Sequence, residues 1–596
     1  MSENTVRLSQ NALIVLRQRY LLKDAHRHVV ETPEQMFWRV ARTVARGDLA
    51  LDPQADLEST AREFYHLLSR LEFLPNSPTL MNAGAGVGQL MACFVLPVED
   101  NLHSIFGTLR DAAVIQQGGG GTGFSFSHLR PDGDVVMSTK GIASGPISFM
   151  TIYDATTEIM KRGSTRRGAN MGILRVDHPD IFQFIMVKRD RTKLTNFNLS
   201  VAVTDAFMQS VERDEPFDLI HPITGEMTRR VRAREIWNLI VEMAWESGEP
   251  GVIFIDRINR DNPTPQLGTI EATNPCSEQP LLPYEACCLG SIDLSRMLTQ
   301  SAGGYIIDYP KLECTIQTAV HFLDNVVQVN SYPLPATEKI CLGNRKIGLG
   351  VMGFADMLIR LGIPYNSQVA LDTAEEVMAF VDRRATAAST ALAESRGTFP
   401  NFAGSIYDRP GGPRLRNATV TTVAPTGTIS LIANCSSGIE PIFALTYVRR
   451  ILEGEELPSV HPIFKEVAKQ RGFYNDELMN VIARRGSVQG LPQVPADVQR
   501  LFVTALDIDP AWHVQIQSAF QKYTDNGVSK TANLPENATL DDVRQIYTLA
   551  YQLGCKGVTV YRSGSRPAQV LSLSGYCVEC GEDALPGTER GLGAGG

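Results

Sequence analysis

Residues 274–278 read Asn-Pro-Cys-Ser-Glu, and eleven positions after the cysteine a second thiol follows in Tyr284-Glu285-Ala286-Cys287. Because the proline disfavours the α region for the residue before it, we predict an extended segment in which Asn274, Cys276 and Glu278 face the same side. An amide that holds a hydroxyl, a sulfur that reacts and a carboxylate that moves a proton form a catalytic set. The structural alternative is a buried cysteine in a proline-bounded loop, which the polar neighbours on both sides disfavour.

The segment resembles the finger loop of ribonucleotide reductase large subunits, whose Asn-x-Cys-x-Glu triplet carries radical chemistry. Further stretches between about residue 10 and residue 565 resemble landmarks of this family and occur in family order. They are Pro75-Asn76-Ser77-Pro78-Thr79-Leu80, Ala92-Cys93-Phe94, the glycine run from Gly118 to Gly123, Arg166-Arg167-Gly168-Ala169, Asn198-Leu199-Ser200-Val201 and Ala424-Pro425-Thr426-Gly427-Thr428. Each string is short, but six in order around the triplet are specific, and we assign the resemblance to the adenosylcobalamin-dependent class.

Helical periods alternate with short apolar runs from about residue 75 to residue 565, which indicates an α/β fold with mostly parallel strands. The resemblance implies the family's ten-stranded α/β barrel with a central finger loop. We predict three parts: a small helical N-terminal region at 1–74, the catalytic barrel at 75–565, and a flexible tail with a CxxC pair at 566–596.

The N-terminal region begins a well-marked helix. Thr32 as N-cap, Pro33 at the first helical position and Gln35 as the capping-box partner predict its start, and its apolar face ends before Gly47. This region is too short for an additional nucleotide-binding regulatory module, so we do not expect overall activity control by ATP and dATP.

The bulk properties exclude several classes of protein. The chain has 596 residues, 43% of them hydrophobic, which allows a large core, and its net charge of -9 argues against a surface that binds DNA or RNA polymers. It contains no long apolar run and begins without a signal peptide, so we expect a cytoplasmic protein with no membrane partner. Ten cysteines are too sparse for a secreted disulfide scaffold, and those at chemical positions are expected to be redox-active.

The resemblance implies a role for each residue of the triplet. Cys276 is expected to form the thiyl radical that removes the 3′-hydrogen of a ribonucleotide substrate, and Glu278 to take the proton of the 3′-hydroxyl. Asn274 is expected to hydrogen-bond the ribose. The 2′-hydroxyl then leaves as water, and the product is a 2′-deoxyribonucleotide.

Two further thiols are implied as electron donors. Cys93 would protonate the departing 2′-hydroxyl, and Cys93 with Cys287 would deliver two electrons as they close a disulfide. That pairing requires their Cα atoms to lie within about 4.4–6.8 Å of each other. Cys288 is a rival for the second position, although the spacing from Cys276 matches Cys287.

The resemblance also implies a nucleotide pocket. Thr79, Ala92, Cys93 and Gly121 are expected to line it. Its phosphates are assigned to a turn that opens a helix, made of Pro425, Thr426, Gly427, Thr428 and Ile429. Taken alone, a threonine in that turn also fits an ordinary helix cap, and close backbone packing explains the glycine run as well as ligand contact does.

A second nucleotide site is implied at a dimer interface. Asp100 matches a position that contacts a deoxynucleoside triphosphate effector, and Arg166, Arg167 and Gly168 match the loop that links effector to substrate. A solvated basic turn is the structural alternative for the arginine pair. The resemblance therefore implies a homodimer that binds effectors, and its effector loop favours diphosphate substrates.

Tyr561 lies where the family places an aromatic residue near the active site, and Arg562 follows it in place of a second tyrosine. Radical relay from a separate subunit uses paired tyrosines, so the sequence favours adenosylcobalamin as the cofactor, with no metal held by protein side chains. The alternatives are a class I large subunit that needs a separate radical-generating subunit, and a catalytically inactive nucleotide-binding regulator.

The tail contains Cys577 and Cys580. We predict that this CxxC pair is a redox shuttle that passes electrons from a thioredoxin-like reductant to the active site. A four-cysteine zinc site needs a second pair, and none follows in the sequence, although zinc shared between two chains remains an alternative.

Overall fold

The computed structural model describes residues 6–136, 140–161, 168–450, 456–565 and 571–572. In this part of the chain, no helix combines the length and apolar character needed to cross a membrane. The same residues contain no group of three or more His, Cys, Asp and Glu side chains that could hold a metal ion. They form two compact units, one made of the described residues of 1–441 and 508–565, the other of those of 442–507 with 571–572.

The helices are α1 (Gln10–Arg19), α2 (Pro33–Leu49), α3 (Leu57–Ser69), α4 (Ser77–Asn82), α5 (Leu102–Gln117), α6 (Gly145–Met160), α7 (Ile181–Met186), α8 (Asp205–Arg213), α9 (Ala233–Ser247), α10 (Ile255–Arg260), α11 (Tyr309–Val329), α12 (Pro335–Asn344), α13 (Phe354–Arg360), α14 (Gln368–Arg396), α15 (Ile429–Ala433), α16 (Pro462–Gln470), α17 (Asp476–Arg485), α18 (Ala496–Leu501), α19 (Pro510–Gln521) and α20 (Leu540–Gln552). Short 3₁₀ turns lie at Val187–Arg189, Pro265–Leu267, Leu294–Arg296 and Pro400–Phe402.

The strands are β1 (Phe73–Pro75), β2 (Cys93–Leu96), β3 (Gly121–Ser125), β4 (Val135–Val136), β5 (Gly141–Ile142), β6 (Asn170–Arg175), β7 (Phe197–Val203), β8 (Pro216–Ile220), β9 (Met227–Arg232), β10 (Gly251–Phe254), β11 (Ala272–Thr273), β12 (Pro280–Leu281), β13 (Ala286–Asp293), β14 (Leu298–Ser301), β15 (Gly304–Ile307), β16 (Ile347–Met352), β17 (Thr446–Arg450), β18 (Glu456–Val460), β19 (Thr531–Leu534), β20 (Gly557–Arg562) and β21 (Leu571–Ser572).

Helix α2 begins where the sequence predicts. The capping box of Thr32 and Gln35 is present, and the apolar face of α2 is buried. The helix continues beyond this face, through Gly47 to Leu49. A Cβ atom at Gly47 would lie 2.8 Å from the side chain of Asn325 on α11, so this glycine permits close helix packing instead of ending the helix.

Ten strands form the main sheet, in the order β1-β13-β2-β3-β6-β7-β10-β20-β19, with β16 also paired to β13. Parallel pairs predominate, as expected, and the antiparallel ones are β1 with β13, β2 with β13 and β10 with β20. Isolated bridges Leu349–Thr421 and Val423–Val528 connect β16 to the segment that precedes β19. The sheet therefore curls back on itself, as a barrel requires.

The second unit was not anticipated from the sequence, which shows no composition shift near residue 442. It contains a three-stranded antiparallel sheet in the order β18-β17-β21, with helices α16, α17 and α18. Phe464 and Phe502 pack edge to face in its core, 5.2 Å between ring centroids. The predicted division at 1–74, 75–565 and 566–596 does not separate this unit.

The hairpin of β11 and β12 packs against the inner wall of the sheet at points where the wall lacks side chains. A Cβ atom at Gly123 on β3 would lie 1.8 Å from the carbonyl oxygen of Thr273. One at Gly527 would lie 2.7 Å from the carbonyl oxygen of Ser277. Both distances are shorter than any tolerated contact, so glycine is required at both positions for the hairpin to enter the barrel.

We expect Gly123→Ala to destabilise the protein by about 3 kcal/mol or more, because neither the hairpin backbone nor β3 can move without breaking its ladder. Denaturant unfolding measures this change. Gly86→Ala is the matched control, since a Cβ atom there meets nothing within 4 Å. Equal stability of the two variants would contradict the close approach.

Candidate active site

The segment that carries the triplet is a turn, so the prediction of an extended chain is wrong. The backbone N–H of Ser277 donates to the carbonyl of Asn274 over 3.1 Å, and Ser277 has a φ of 65°. The Asn274 N–H donates to the Gln279 carbonyl over 3.1 Å, while the Asn274 side-chain oxygen accepts the Gln279 N–H over 3.0 Å. Pro275 takes the second position of a four-residue turn, a place that its fixed φ favours.

The turn places the three residues of the triplet in different environments. Asn274 and Glu278 are buried, whereas Cys276 is exposed at the tip. The amide nitrogen of Asn274 donates to the sulfur of Cys93 over 3.1 Å, and the Cys93 sulfur lies 4.0 Å from Oε1 of Glu278. Hairpin and barrel wall thus bring a thiol, an amide and a carboxylate together, with a second thiol at the tip.

Backbone contacts fix the carboxylate end of the hairpin. The Glu278 carbonyl accepts the N–H of Gly527 over 2.8 Å and the hydroxyl of Thr422 over 2.9 Å. On the opposite side, Pro275 lies against Gly121, where a Cβ atom would be 3.0 Å from the proline ring. The structure therefore places Gly121 and its neighbours against the hairpin, which favours the packing explanation of the glycine run.

Strand pairing favours Cys287 over Cys288 as the partner of Cys93. Cys93 on β2 lies directly opposite Cys287 on β13 in an antiparallel pair, and Cα atoms in such positions are about 4.5–5.5 Å apart. This range meets the requirement of a disulfide. Because side chains alternate along a strand, Cys288 points the other way, and its sulfur contacts the Leu323 carbonyl of α11 at 3.4 Å. Cys93 and Cys287 are both in the reduced form here.

Burial controls the ionisation of Cys287. Complete burial raises the pKa of its thiol well above the ordinary value, and the neighbouring Cys288 and Cys93 raise it further, while Lys346 opposes the shift. Cys287 has no exposed surface, and Cys93 is 6% exposed. The thiol of Cys93 thus faces the hairpin, whereas the thiol of Cys287 is completely buried in the barrel wall.

The predicted phosphate loop is a rigid turn. Thr426 has a φ of 54°, its hydroxyl accepts the N–H of Gly438 over 2.7 Å, and Ser437 donates its hydroxyl to the Pro425 carbonyl. Thr428 precedes α15 without forming a side-chain cap, so the cap interpretation of that residue is wrong. Gly427 is exposed at the tip, and Ile429 begins the helix.

The remaining pocket residues lie in two places. Ala92, Cys93 and Cys287 share one buried cluster with Ala424, which precedes the phosphate loop. Thr79 is buried, and its hydroxyl bonds Asn76 Oδ1 over 2.9 Å and the Leu90 carbonyl over 3.0 Å.

Two polar groups that sequence reasoning missed are Asn76 Nδ2 and the hydroxyl of Ser430. Both are buried, and neither has a hydrogen-bond partner within the described part of the chain. Asn76 belongs to the Pro75–Leu80 landmark and Ser430 follows the phosphate loop directly, so their positions in the sequence were the available signal. Buried donors of this kind normally have a partner, which a bound ligand can provide.

The effector residues are only partly described. Asp100 accepts the backbone N–H of Arg130 over 3.0 Å, and the Arg130 guanidinium donates to its other oxygen over 2.6 and 2.8 Å. Arg130 is thus a charged partner that sequence reasoning missed. A Cβ atom at Gly168 would lie 3.1 Å from the Gln116 side chain of α5. Arg166 and Arg167 lie outside the described residues.

Tyr561 lies on β20 opposite Asn533 of β19, and the strand next to β20 on its other side is β10. Cys577 and Cys580 lie outside the described residues. The roles assigned to these three residues stay predictions.

Comparisons with known proteins agree with this architecture. The family model described as the all-alpha domain of ribonucleotide reductase matches residues 6–88, and the barrel domain model matches residues 91–411 and 413–561. The solved structure of an Actinobacillus ureae class Id ribonucleotide reductase alpha subunit covers 94% of this chain and 97% of its own, with a TM-score of 0.75 and 22% identity. At that identity the likeness shows the fold alone, and it confirms the expected barrel preceded by a helical region.

Two curated relatives are much closer in sequence. A vitamin B12-dependent ribonucleoside-diphosphate reductase of Thermoplasma acidophilum is 47% identical over 625 residues, which cover 96% of this chain and 81% of the relative. A protein of the same name from Mycobacterium tuberculosis is 50% identical over 568 residues, which cover 95% of this chain and 81% of the relative. Together with the family models, these relatives show that the chain belongs to the ribonucleotide reductases, in the adenosylcobalamin-dependent class.

Proposed function

We propose that this protein reduces ribonucleotides to 2′-deoxyribonucleotides for DNA synthesis by thiyl-radical chemistry at Cys276. The observation that carries the assignment is the division of thiols around one hairpin: Cys276 is exposed at its tip, and Cys93 contacts Asn274 and Glu278 at its base. The close relatives are named vitamin B12-dependent ribonucleoside-diphosphate reductases, which favours this function over a class I subunit or an inactive regulator.

The proposed reaction gives each of these groups a defined role. Cys276, as a thiyl radical, takes the hydrogen atom from C3′ while Glu278 takes the 3′-hydroxyl proton and Asn274 orients the ribose. Cys93 protonates the 2′-hydroxyl, which leaves as water. Cys93 and Cys287 supply two electrons as they form a disulfide, and C2′ receives the hydrogen of the second thiol. Glu278 returns its proton to the 3′-oxygen, and Cys276 returns its hydrogen atom to C3′. One ribonucleotide and two thiols thus give one deoxyribonucleotide, one disulfide and one water.

The environment of Cys276 fits the cofactor of this class. Its neighbours Asn274, Pro275 and Glu278 are buried, yet Cys276 is exposed, so a group bound inside the barrel can reach its sulfur. Adenosylcobalamin, when bound, supplies the one-electron oxidant for that thiol. The part of the chain is to hold the hairpin still and to keep the thiol hydrogen within reach.

The substrate phosphates are assigned to the loop Pro425–Ile429. Support comes from the rigid turn at Thr426 and from the buried donors Asn76 and Ser430, which flank the nucleotide landmarks in sequence. We infer that diphosphates are the preferred substrates, in line with the names of the relatives.

Cys276→Ser should fold, because it exchanges one small side chain at an exposed position, but it should form no deoxynucleotide even in a single turnover. The assay combines purified protein, adenosylcobalamin, a ribonucleotide and a dithiol, with no other subunit. Cys314→Ser, an exposed cysteine on α11, is the matched control and should keep full activity. Product from the Cys276 variant would refute the radical assignment.

We further infer that the protein acts as a homodimer regulated by deoxynucleoside triphosphates. Helices α5 and α6 pack together through the Tyr153 hydroxyl and the Ile105 carbonyl, 2.6 Å apart. Their outer faces expose large apolar side chains, among them Leu102 at 63%, Phe106 at 48% and Ile159 at 72%. Exposed apolar groups on adjacent helices favour a protein interface, and the Asp100 loop that precedes α5 supports an effector site beside it.

Different deoxynucleoside triphosphates should change which base is reduced, and Arg167→Ala should lower that response more than it lowers basal turnover. Competition assays with mixed ribonucleotides measure the preference under each effector. Arg191→Ala, an exposed arginine elsewhere on the same unit, serves as the control and should respond normally. An unchanged substrate preference across all effectors would count against regulation at this loop.

The reductant is proposed to act through Cys577 and Cys580. Cys577 lies sixteen positions after Tyr561 and five after Ser572, the last residue of β21. A thioredoxin-like protein is too large to enter a buried site, whereas a tail or a small dithiol is not.

The double variant Cys577→Ser with Cys580→Ser should lose turnover driven by thioredoxin and keep most turnover driven by dithiothreitol. Steady-state assays with each reductant measure the difference. Equal activity with both reductants would exclude the shuttle, and loss of both would show that these cysteines support the structure.

A further inference from the structure

A buried ion pair lies beside the redox thiols and takes no part in the reaction described above. Lys346 Nζ is 2.7 Å from Glu285 Oε2, and their side chains are 1% and 0% exposed. Removing two charges from water is costly unless they are paired and hydrogen-bonded. Two apolar side chains could fill the same space, so the pair calls for an explanation.

The carboxylate of the pair is held from three directions. Besides Lys346, Asn344 Nδ2 donates to Oε1 of Glu285 over 2.8 Å, and the Leu282 N–H donates to Oε2 over 2.9 Å. Glu285 therefore has a fixed position at the start of β13. The ammonium that it anchors is fixed as well, at the start of β16.

The register of strands β13 and β16 places Lys346 next to Cys287. Strands β13 and β16 are parallel neighbours with Cys288 opposite Ile347, so the residue before Ile347 lies beside the residue before Cys288. The Cys287 thiol donates to the Lys346 carbonyl over 3.6 Å. Burial raises the pKa of Cys287, the Lys346 charge counteracts that rise, and the Glu285 carboxylate adds to it by a smaller amount. The Lys346 backbone thus contacts the more deeply buried sulfur, and its ammonium is paired with the carboxylate two residues before that sulfur.

The two sulfurs differ in access. Cys93 faces the hairpin, where it contacts Asn274 and Glu278, and it is 6% exposed. Cys287 has no exposed surface. A thiolate that enters the site meets Cys93 first, and thiol–disulfide exchange requires direct contact with the attacked sulfur. Cys287 is then the sulfur that must leave, and it must leave as an anion inside an apolar wall.

We propose that Lys346 is a positioning residue that stabilises Cys287 as the leaving thiolate when a dithiol reopens the Cys93–Cys287 disulfide. The inference rests on the proposed roles of these two cysteines. The attacking thiolate forms a bond to the Cys93 sulfur, and the bond between the two sulfurs breaks. The Cys287 sulfur leaves with the electron pair and then takes up a proton. The second thiol of the reductant attacks the mixed disulfide and releases Cys93, which is also protonated. The dithiol loses two electrons, and the protein disulfide gains them.

The test separates the first turnover from the reopening step. Pre-reduced enzyme is given adenosylcobalamin and a ribonucleotide without reductant, and mass spectrometry identifies the linked cysteines. Dithiothreitol is then added, and the rate of reopening is followed by trapping free thiols. Lys346→Met should form product in the first turnover as the unmodified protein does, yet reopen about tenfold more slowly, because the leaving thiol has a higher pKa. Lys346→Arg keeps the charge and should reopen at close to the normal rate.

Lys188→Met is the matched control, since Lys188 forms a second largely buried pair with Glu249, 3.1 Å apart, away from these thiols. It should leave the reopening rate unchanged. If Lys346→Met does not fold, Lys346→Met with Glu285→Gln removes both charges and avoids an unpaired buried carboxylate. That double variant should also reopen more slowly than the unmodified protein.

Three results would overturn the inference. Normal reopening in Lys346→Met, or in the double variant where the single one does not fold, would show that the charge does not assist the leaving sulfur. An equal loss in the first turnover and in reopening would make Lys346 a structural residue. A disulfide that joins other cysteines in the unmodified protein would refute the proposed redox pair, and this inference with it.

Discussion

The whole arrangement depends on a steric constraint: a hairpin can enter the barrel only where the wall has no side chains. Gly123 and Gly527 meet the hairpin backbone at distances that leave no room for a Cβ atom. The contact is backbone against backbone, so the hairpin position is set by main-chain atoms instead of by adaptable side chains. Hydrogen bonds from Gly527 and Thr422 to the Glu278 carbonyl then fix its height in the barrel. Chemistry that needs reacting groups placed within a fraction of an ångström gains from such rigid support.

Strand register is the second constraint, and it assigns the thiols to different tasks. The antiparallel pairing of β2 with β13 places Cys93 opposite Cys287, and alternation along β13 turns Cys288 toward α11. A slip of one residue would exchange the two faces of β13 and remove the redox pair. The three cysteines of the proposed reaction differ in access, from Cys276 at the exposed tip through Cys93 to the fully buried Cys287.

Capping residues in the sequence predicted the start of helix α2 correctly. Contacts between residues that are far apart in the chain could not be predicted from the sequence. The cap at Thr32 follows from neighbouring residues, whereas the need for glycine at position 47 comes from the packing of Asn325, far away in the chain. The extended prediction at Asn274 gave too much weight to the residue before proline. An Asn-Pro pair is also a turn signal, and here the Asn274 side chain closes the turn on Gln279. The cysteine pair was inferred from family resemblance, but the face on which each thiol lies became apparent only from the register.

Burial of the reducing thiols creates opposite demands that the site must satisfy together. A radical reaction benefits from thiols that are shielded from water and from side reactions, and Cys287 meets this demand by complete burial. Each turnover nevertheless leaves an oxidised pair that a water-soluble reductant must reach, and an apolar wall disfavours the thiolate that reduction creates. A lone ammonium in the wall would itself be costly to bury, and Glu285 offsets that cost by pairing with Lys346. The carboxylate also disfavours a thiolate at Cys287, so the proposed role requires the effect of the Lys346 charge on that sulfur to exceed the effect of Glu285, as the order of their influence on the Cys287 pKa indicates.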